Sequence, residues 1–150
     1  MDSGIKETIA IASDHAGFDL KSDLAEYMED SGYQILDLGT NGSDSVDYPD
    51  FAHALADALA QGKTIKGVLV CGSGIGISIA ANRHEGVRAA LIHDALGARM
   101  CRQHNNANVI VFGGRMIGPE TAKDCLGIFL NTEFEGGRHA RRLEKLAPPQ

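Results

Sequence analysis

Five short, apolar-rich segments, each followed by a stretch of helical periodicity, constrain this chain more than any other feature. The apolar runs are Ile5–Ala12, Tyr33–Leu38, Ile65–Val70, Val87–Ile92 and Asn108–Phe112. They do not alternate apolar with polar, so each predicts a strand buried on both faces, which is the mark of a parallel sheet covered by helices. Between them, Leu20, Leu24, Tyr27 and Met28 predict a helix over Gly17–Ser31, which Gly32 ends. Phe51, Leu55 and Leu59 predict a second over Asp47–Gln61. Ile75–Asn82, Ala95–Gln103 and Pro119–Leu130 supply three more, and the basic segment Arg138–Leu146 a last one. The expected fold is α/β, a three-layer α/β/α sandwich on a five-stranded parallel sheet with right-handed crossovers. At roughly 150 residues per domain, residues 1–150 are expected to form a single domain.

Composition narrows the function classes. Hydrophobic residues at 43% and charged residues at 23% are ordinary globular usage and exclude a disordered chain. A net charge of −6 and a pI near 5.4 argue against bulk nucleic-acid binding. No apolar run reaches the ~18–20 residues of a membrane span, and Met1–Thr8 lacks the basic-then-apolar plan of a signal peptide. Cys71, Cys101 and Cys125 are odd in number and form no C-x-x-C, which predicts reduced thiols in a cytoplasmic protein.

In such sheets ligands bind beyond the carboxyl ends of strands, near a switch in strand order. Chemistry-bearing residues collect at those positions here. Ser13-Asp14-His15-Ala16-Gly17 follows the first strand, Cys71-Gly72-Ser73-Gly74-Ile75-Gly76 the third, His93-Asp94 the fourth and Gly113-Gly114-Arg115 the fifth. The glycine loop leads into a helix, so its amides can face an anion. It is neither a P-loop nor a dinucleotide fingerprint, since position 77 is Ile where the third glycine belongs. A tight turn explains the same glycines. Cys71 reads either as a small buried hydrophobe or as a thiolate favoured by the helix N-terminus. Asp14 is a candidate base or a helix cap, and His104 a candidate acid or a C-terminal cap. Arg138 and Arg142, four apart on one helix face, suit a phosphate monoester or form a solvated basic face. No histidine pair has a metal-ligand spacing such as H-E-x-x-H, so no metal is expected. Acid and base groups, an amide cradle and an arginine pair together suit proton transfer on a sugar phosphate.

Ser13-Asp-His-Ala-Gly17, Asp47-Tyr-Pro49, Cys71-Gly-Ser-Gly-Ile-Gly-Ile-Ser-Ile-Ala-Ala-Asn82, Arg102-Gln-His-Asn-Asn-Ala-Asn-Val109, Phe112-Gly-Gly-Arg115 and Glu135-Gly-Gly-Arg-His139 resemble the type B ribose-5-phosphate isomerases, a family shared with the galactose-6-phosphate isomerase subunits. The resemblance runs over nearly the whole chain. It implies a Rossmann-like sandwich working as a homodimer or tetramer, and cofactor-free interconversion of ribose 5-phosphate and ribulose 5-phosphate in the pentose phosphate pathway.

The resemblance assigns roles by position. Cys71 becomes the base that moves the proton between C2 and C1, since Ile75 stands where some members carry a Glu. Ser73 stands beside it, and Gly72, Gly74, Ile75 and Gly76 belong to the loop holding the enediolate oxygens. His104 becomes the acid that opens the sugar ring, with Asp14 taking the anomeric proton. Asn105 holds sugar hydroxyls, Tyr48 lines the pocket, and His15, Arg115, Arg138 and Arg142 hold the phosphate. It also implies that His104, Asn105 and Arg115 come from the partner subunit. His93–Gly97, a variable stretch, departs from the pattern and bears on which sugar is preferred.

Three other readings stand beside this one. A six-carbon substrate such as allose or galactose 6-phosphate fits the same chemistry. A non-catalytic phosphosugar-binding module would need neither Cys71 nor His104. A flavin- or nucleotide-binding domain conflicts with the missing third glycine and with a chain that has no Trp, three Tyr and five Phe.

Overall fold

The structure is a computed structural model and describes residues 4 and 6–147. Its strands are β1 (Thr8–Ser13), β2 (Gln34–Asp37), β3 (Lys66–Cys71), β4 (Ala89–Leu91) and β5 (Val109–Gly113). Its helices are α1 (Phe18–Asp30), α2 (Tyr48–Ala60), α3 (Ile75–Asn82), α4 (Ala95–Gln103), α5 (Pro119–Asn131) and α6 (Arg138–Glu144), with a single 3-10 turn at His15–Gly17. All pairings are parallel, in the order β2-β1-β3-β5-β4. The expected α/β sandwich is therefore observed. Ile5, the predicted start of the first strand, lies outside the described residues. The predicted strand Val87–Ile92 contracts to Ala89–Leu91, because the Arg88 amide donates to the Asn108 side chain rather than to a strand.

The three central strands, β1, β3 and β5, are buried along nearly their whole length because each face meets its own helices, whereas the edge strand β2 departs from the expected burial on both faces and exposes Gln34 and Asp37. Ile9, Ile11, Val68, Val70, Ile110 and Phe112 join a core built with α1, α4 and α5. Ala10, Ala12, Leu69, Cys71, Val109 and Val111 face α2 and α3. Each fully buried large side chain in these cores contributes about 1.5–3 kcal/mol. The second face is lined by small residues, so α2 approaches closely: a Cβ on Gly67 would lie 2.8 Å from Leu55 Cδ1. Cys101 and Cys125 are packed in the first core, and burial pushes the Cys101 thiol up to about 11. Neither is placed for chemistry.

One contact has no counterpart in the sequence pattern. Lys21, on the buried face of α1, sends Nζ to both carboxylate oxygens of Asp37 at 2.8 and 2.7 Å. Asp37 Oδ1 also accepts the Gly39 amide at 2.9 Å, so the pair ties α1 to the end of β2. A charged residue on an apolar helix face is stable only when paired in this way.

Strand order locates the crevice. From β1 the chain moves outward to β2 on one side, whereas from β3 it moves to β4 on the other. The carboxyl ends of β1 and β3 flank the switch point, where open α/β sheets bind ligands.

Candidate active site

Asp14 leaves β1 and Cys71 ends β3, and the register places them side by side. Ser13 pairs with Val70, and the Asp14 amide donates to the Val70 carbonyl at 3.2 Å. Both side chains are buried. Asp14 Oδ1 accepts the Gly17 amide at 3.1 Å, which caps the 3-10 turn as a short acidic residue does. His15 Nδ1 accepts the Val46 amide at 3.2 Å, so in that contact the ring proton sits on Nε2.

The glycine loop is shaped by two close approaches. Gly74 sits at φ 79 as the cap of α3, and a Cβ there would lie 2.5 Å from Leu91 Cδ1. Its amide donates to Cys71 Sγ at 3.2 Å, a contact that suits a thiolate. The Ile75 amide donates to Ser73 Oγ at 3.2 Å. The next amides, of Gly76 and Ile77, belong to the first turn of α3 and have no intrahelical acceptor. They and the helix dipole favour negative charge at this spot. Tyr48, the first residue of α2, brings the hydroxyl end of its ring against Gly76: a Cβ there would meet Tyr48 Cζ at 2.5 Å and Oη at 2.8 Å. Only glycine lets that ring close over the loop.

Arg115 completes this group. Its amide donates to the Gly72 carbonyl at 3.0 Å, and its Nη1 would lie 3.4 Å from a Cβ on Gly72. The expectation that Arg115 reaches the site from a partner is therefore not what the placement shows: it stands beside the glycine loop of its own chain. The cause is β5 register, which sets Gly113 level with Cys71.

His104 and Asn105 are elsewhere. A helix in a β/α unit runs back to the amino edge of the sheet, and α4 ends there. The Gly67 amide bonds the Asn108 carbonyl at 2.9 Å, so the segment after His104 is level with the start of β3, not its end. At about 3.3 Å per residue, the six residues of β3 place His104 on the order of 15–20 Å from Cys71 within one chain. Arg142 goes with His104: both line one pocket of about 260 Å³ with Asn105, His139, Leu143 and Leu146. Arg138 shares its helix, one turn before Arg142. Two half-sites thus lie at opposite edges of the sheet.

The second half-site is held by Arg102, which sits in the 102–109 motif but whose role no local sequence pattern marks. Arg102 is buried, and its guanidinium donates to the Thr132 carbonyl at 3.0 Å and to Asn106 Oδ1 and the Ala107 carbonyl at 2.8 Å each. It fixes the turn that carries His104 and Asn105, where Asn106 adopts φ 46. The His104 ring stacks on His139 at 4.4 Å between centroids. Burial, His104 and the Arg138 guanidinium push His139 below the ordinary histidine range, while Glu135 pulls the other way.

Similarities to known proteins bear on this arrangement. The profile of the family described as Ribose/Galactose Isomerase matches residues 9–146. A ribose 5-phosphate isomerase of Thermotoga maritima superimposes with a TM-score of 0.91 at 47% identity, covering 93% of this chain and 96% of that one. A ribose-5-phosphate isomerase B of Mycoplasma genitalium, solved with bound ribulose 5-phosphate, gives 0.90 at 40% identity over 95% of each chain. A D-erythrulose-4-phosphate isomerase of Pectobacterium atrosepticum is 44% identical over 141 residues, 93% of this chain and 92% of its own.

Proposed function

Because this chain belongs to the ribose/galactose isomerase family, we propose that it interconverts D-ribose 5-phosphate and D-ribulose 5-phosphate through a cis-enediolate, without a cofactor. The observation that carries this reading is the meeting of Asp14, Cys71, Ser73 and the first-turn amides of α3, of which those of Gly76 and Ile77 have no intrahelical acceptor, at the switch point.

The chemistry needs an acid for ring opening, and His104 lies at the far edge of its own sheet. A homodimer that sets the second half-site of one protomer over the first half-site of the other supplies it. His104 then protonates the ring oxygen while Asp14 takes the anomeric proton, giving the open aldehyde. Cys71 removes the C2 proton and the enediolate charge falls on the loop amides; the hydroxyl proton passes from O2 to O1, and Cys71 returns the carbon-bound proton to C1, leaving the C2 ketone. Preorganised donors of this kind are worth about 2.7–4 kcal/mol each. In this division of labour Asn105, Arg138 and Arg142 arrive with His104, while His15, Tyr48 and Arg115 stand with the base. The residues act as one isomerase domain. Among the described residues no helix is long and apolar enough to cross a membrane. Three free cysteines fit the reducing cytoplasm.

The test is an assay of EDTA-treated protein with ribose 5-phosphate, allose 6-phosphate and D-erythrulose 4-phosphate in parallel. Ribose 5-phosphate is expected to turn over fastest. A four-carbon substrate is the second reading, favoured by the erythrulose-phosphate relative, and faster turnover of that sugar would replace the pentose. No turnover of any sugar, with phosphate esters still bound, would leave a binding module.

Arg142→Ala gives a further expectation. Loss of a charge-assisted contact to phosphate costs about 1.5–3 kcal/mol, so KM should rise roughly tenfold or more while kcat changes less. Steady-state kinetics over ribose 5-phosphate concentrations from well below KM to saturation separate the two constants. An unchanged KM would remove Arg142 from the phosphate site.

A further inference from the structure

Along the chain no histidines have metal-ligand spacing, but the fold assembles what the spacing lacks. The loop after α5 returns beside the end of α4, where the Glu135 amide donates to the Gln103 carbonyl at 3.1 Å. That bond brings Glu135 and His139 next to His104. His104 Nε2 lies 4.0 Å from Glu135 Oε1, and His139 Nε2 lies 3.6 Å from the same oxygen. One ligand atom from each of the three falls within 4.8 Å of the other two, the one such group among the described residues.

From this geometry we infer that His104, Glu135 and His139 form an inhibitory binding site for a divalent transition metal such as Zn²⁺. Two imidazoles and a carboxylate are a common zinc donor set, with bonds of about 2.0–2.2 Å. Ligand atoms around a tetrahedral ion then sit roughly 3.3–3.5 Å apart, so the closer of the two Glu135 distances is already near what is needed. The remaining contraction falls on the exposed Glu135 side chain and on a turn of the stacked His104 ring. Gly136 and Gly137, at φ 69 and 56, give the intervening backbone its tight turn. The fourth position opens to the pocket shared with Asn105 and Arg142, where water or an anion can bind. Inhibition follows because a metal on His104 Nε2 occupies the lone pair that would carry the proton. That consequence rests on the isomerase reading; metal binding does not.

The experiment uses untagged, EDTA-stripped protein in two arms. In the first, Co²⁺ is titrated as a visible probe and Zn²⁺ by calorimetry. One ion per chain is expected, with the intense visible bands of tetrahedral cobalt. Glu135→Gln should weaken binding at least about tenfold, the loss that even outer-sphere partners produce, and Cys71→Ser should leave it unchanged. Equal affinity in Glu135→Gln, or loss of the site in Cys71→Ser, would overturn the assignment in favour of the thiol. In the second arm, Zn²⁺ should abolish ribose 5-phosphate turnover in step with occupancy, and EDTA should restore it. Binding without inhibition would overturn the inhibitory role. Absence of turnover before any metal is added is a different result, and it strikes only at the isomerase reading.

Discussion

Cys71→Ala should reduce ribose 5-phosphate isomerisation by about 10²–10⁴-fold, the usual contribution of a positioned acid–base group. The side chain sits at the end of a central strand, beside Asp14 and under the Gly74 amide. No other thiol can substitute: Cys101 and Cys125 are buried in the core on the far face of the sheet. Ala is smaller than Cys and apolar, so the fold should survive, and far-UV circular dichroism checks that. Phosphate binding should survive too, since the arginines are untouched. Cys71→Ser keeps the shape but not an ionisable thiol, and it should be nearly as slow. Turnover within tenfold of the parent in Cys71→Ala would remove Cys71 as the base and shift attention to Asp14.

Gly74→Ala should be the most damaging single methyl group in the loop. The residue holds φ 79, where an L side chain costs about 1–2 kcal/mol. Its Cβ would sit 2.5 Å from Leu91 Cδ1 and 3.0 Å from the Phe112 carbonyl carbon. Overpacking of this kind adds about 1–3 kcal/mol. Together these should lower Tm by roughly 5–15 °C for a chain of this size. Relief of the clash moves the Gly74 amide off Cys71 Sγ, so kcat should fall as well. Gly118→Ala is the control: its φ is −78 and a Cβ there meets nothing within 4 Å. Differential scanning calorimetry compares the two. Equal melting temperatures would show that the loop has more freedom than its packing implies.

Much of the fold was legible because periodicity is a local property. Ile75–Asn82 and Ala95–Gln103 match their helices to the residue. The apolar runs of β1, β3 and β5 matched strands because a strand covered on both faces has no polar side to interrupt the pattern. Misplaced ends came from long-range pairing, as where Asn108 takes up the Arg88 amide and shortens β4. Lys21 was unreadable for a related reason: its partner Asp37 lies 16 residues away on another element. The 3-10 turn at His15–Gly17 lay hidden inside what reads as the approach to α1.

The sequence by itself determined the order of elements, the two buried faces of the central strands, and the clusters of polar and glycine residues at the strand ends. These depend on residues within a few positions of one another. Only the tertiary structure decided which clusters meet. Register set Arg115 beside the Gly72 of its own chain. The return of α4 to the amino edge put His104 and Arg142 together, a strand's length from Cys71. Arg102 and the Glu135 amide then closed three distant side chains around one point. Helices and sheets bring residues together by packing, and packing is a property of the whole chain rather than of any window along it.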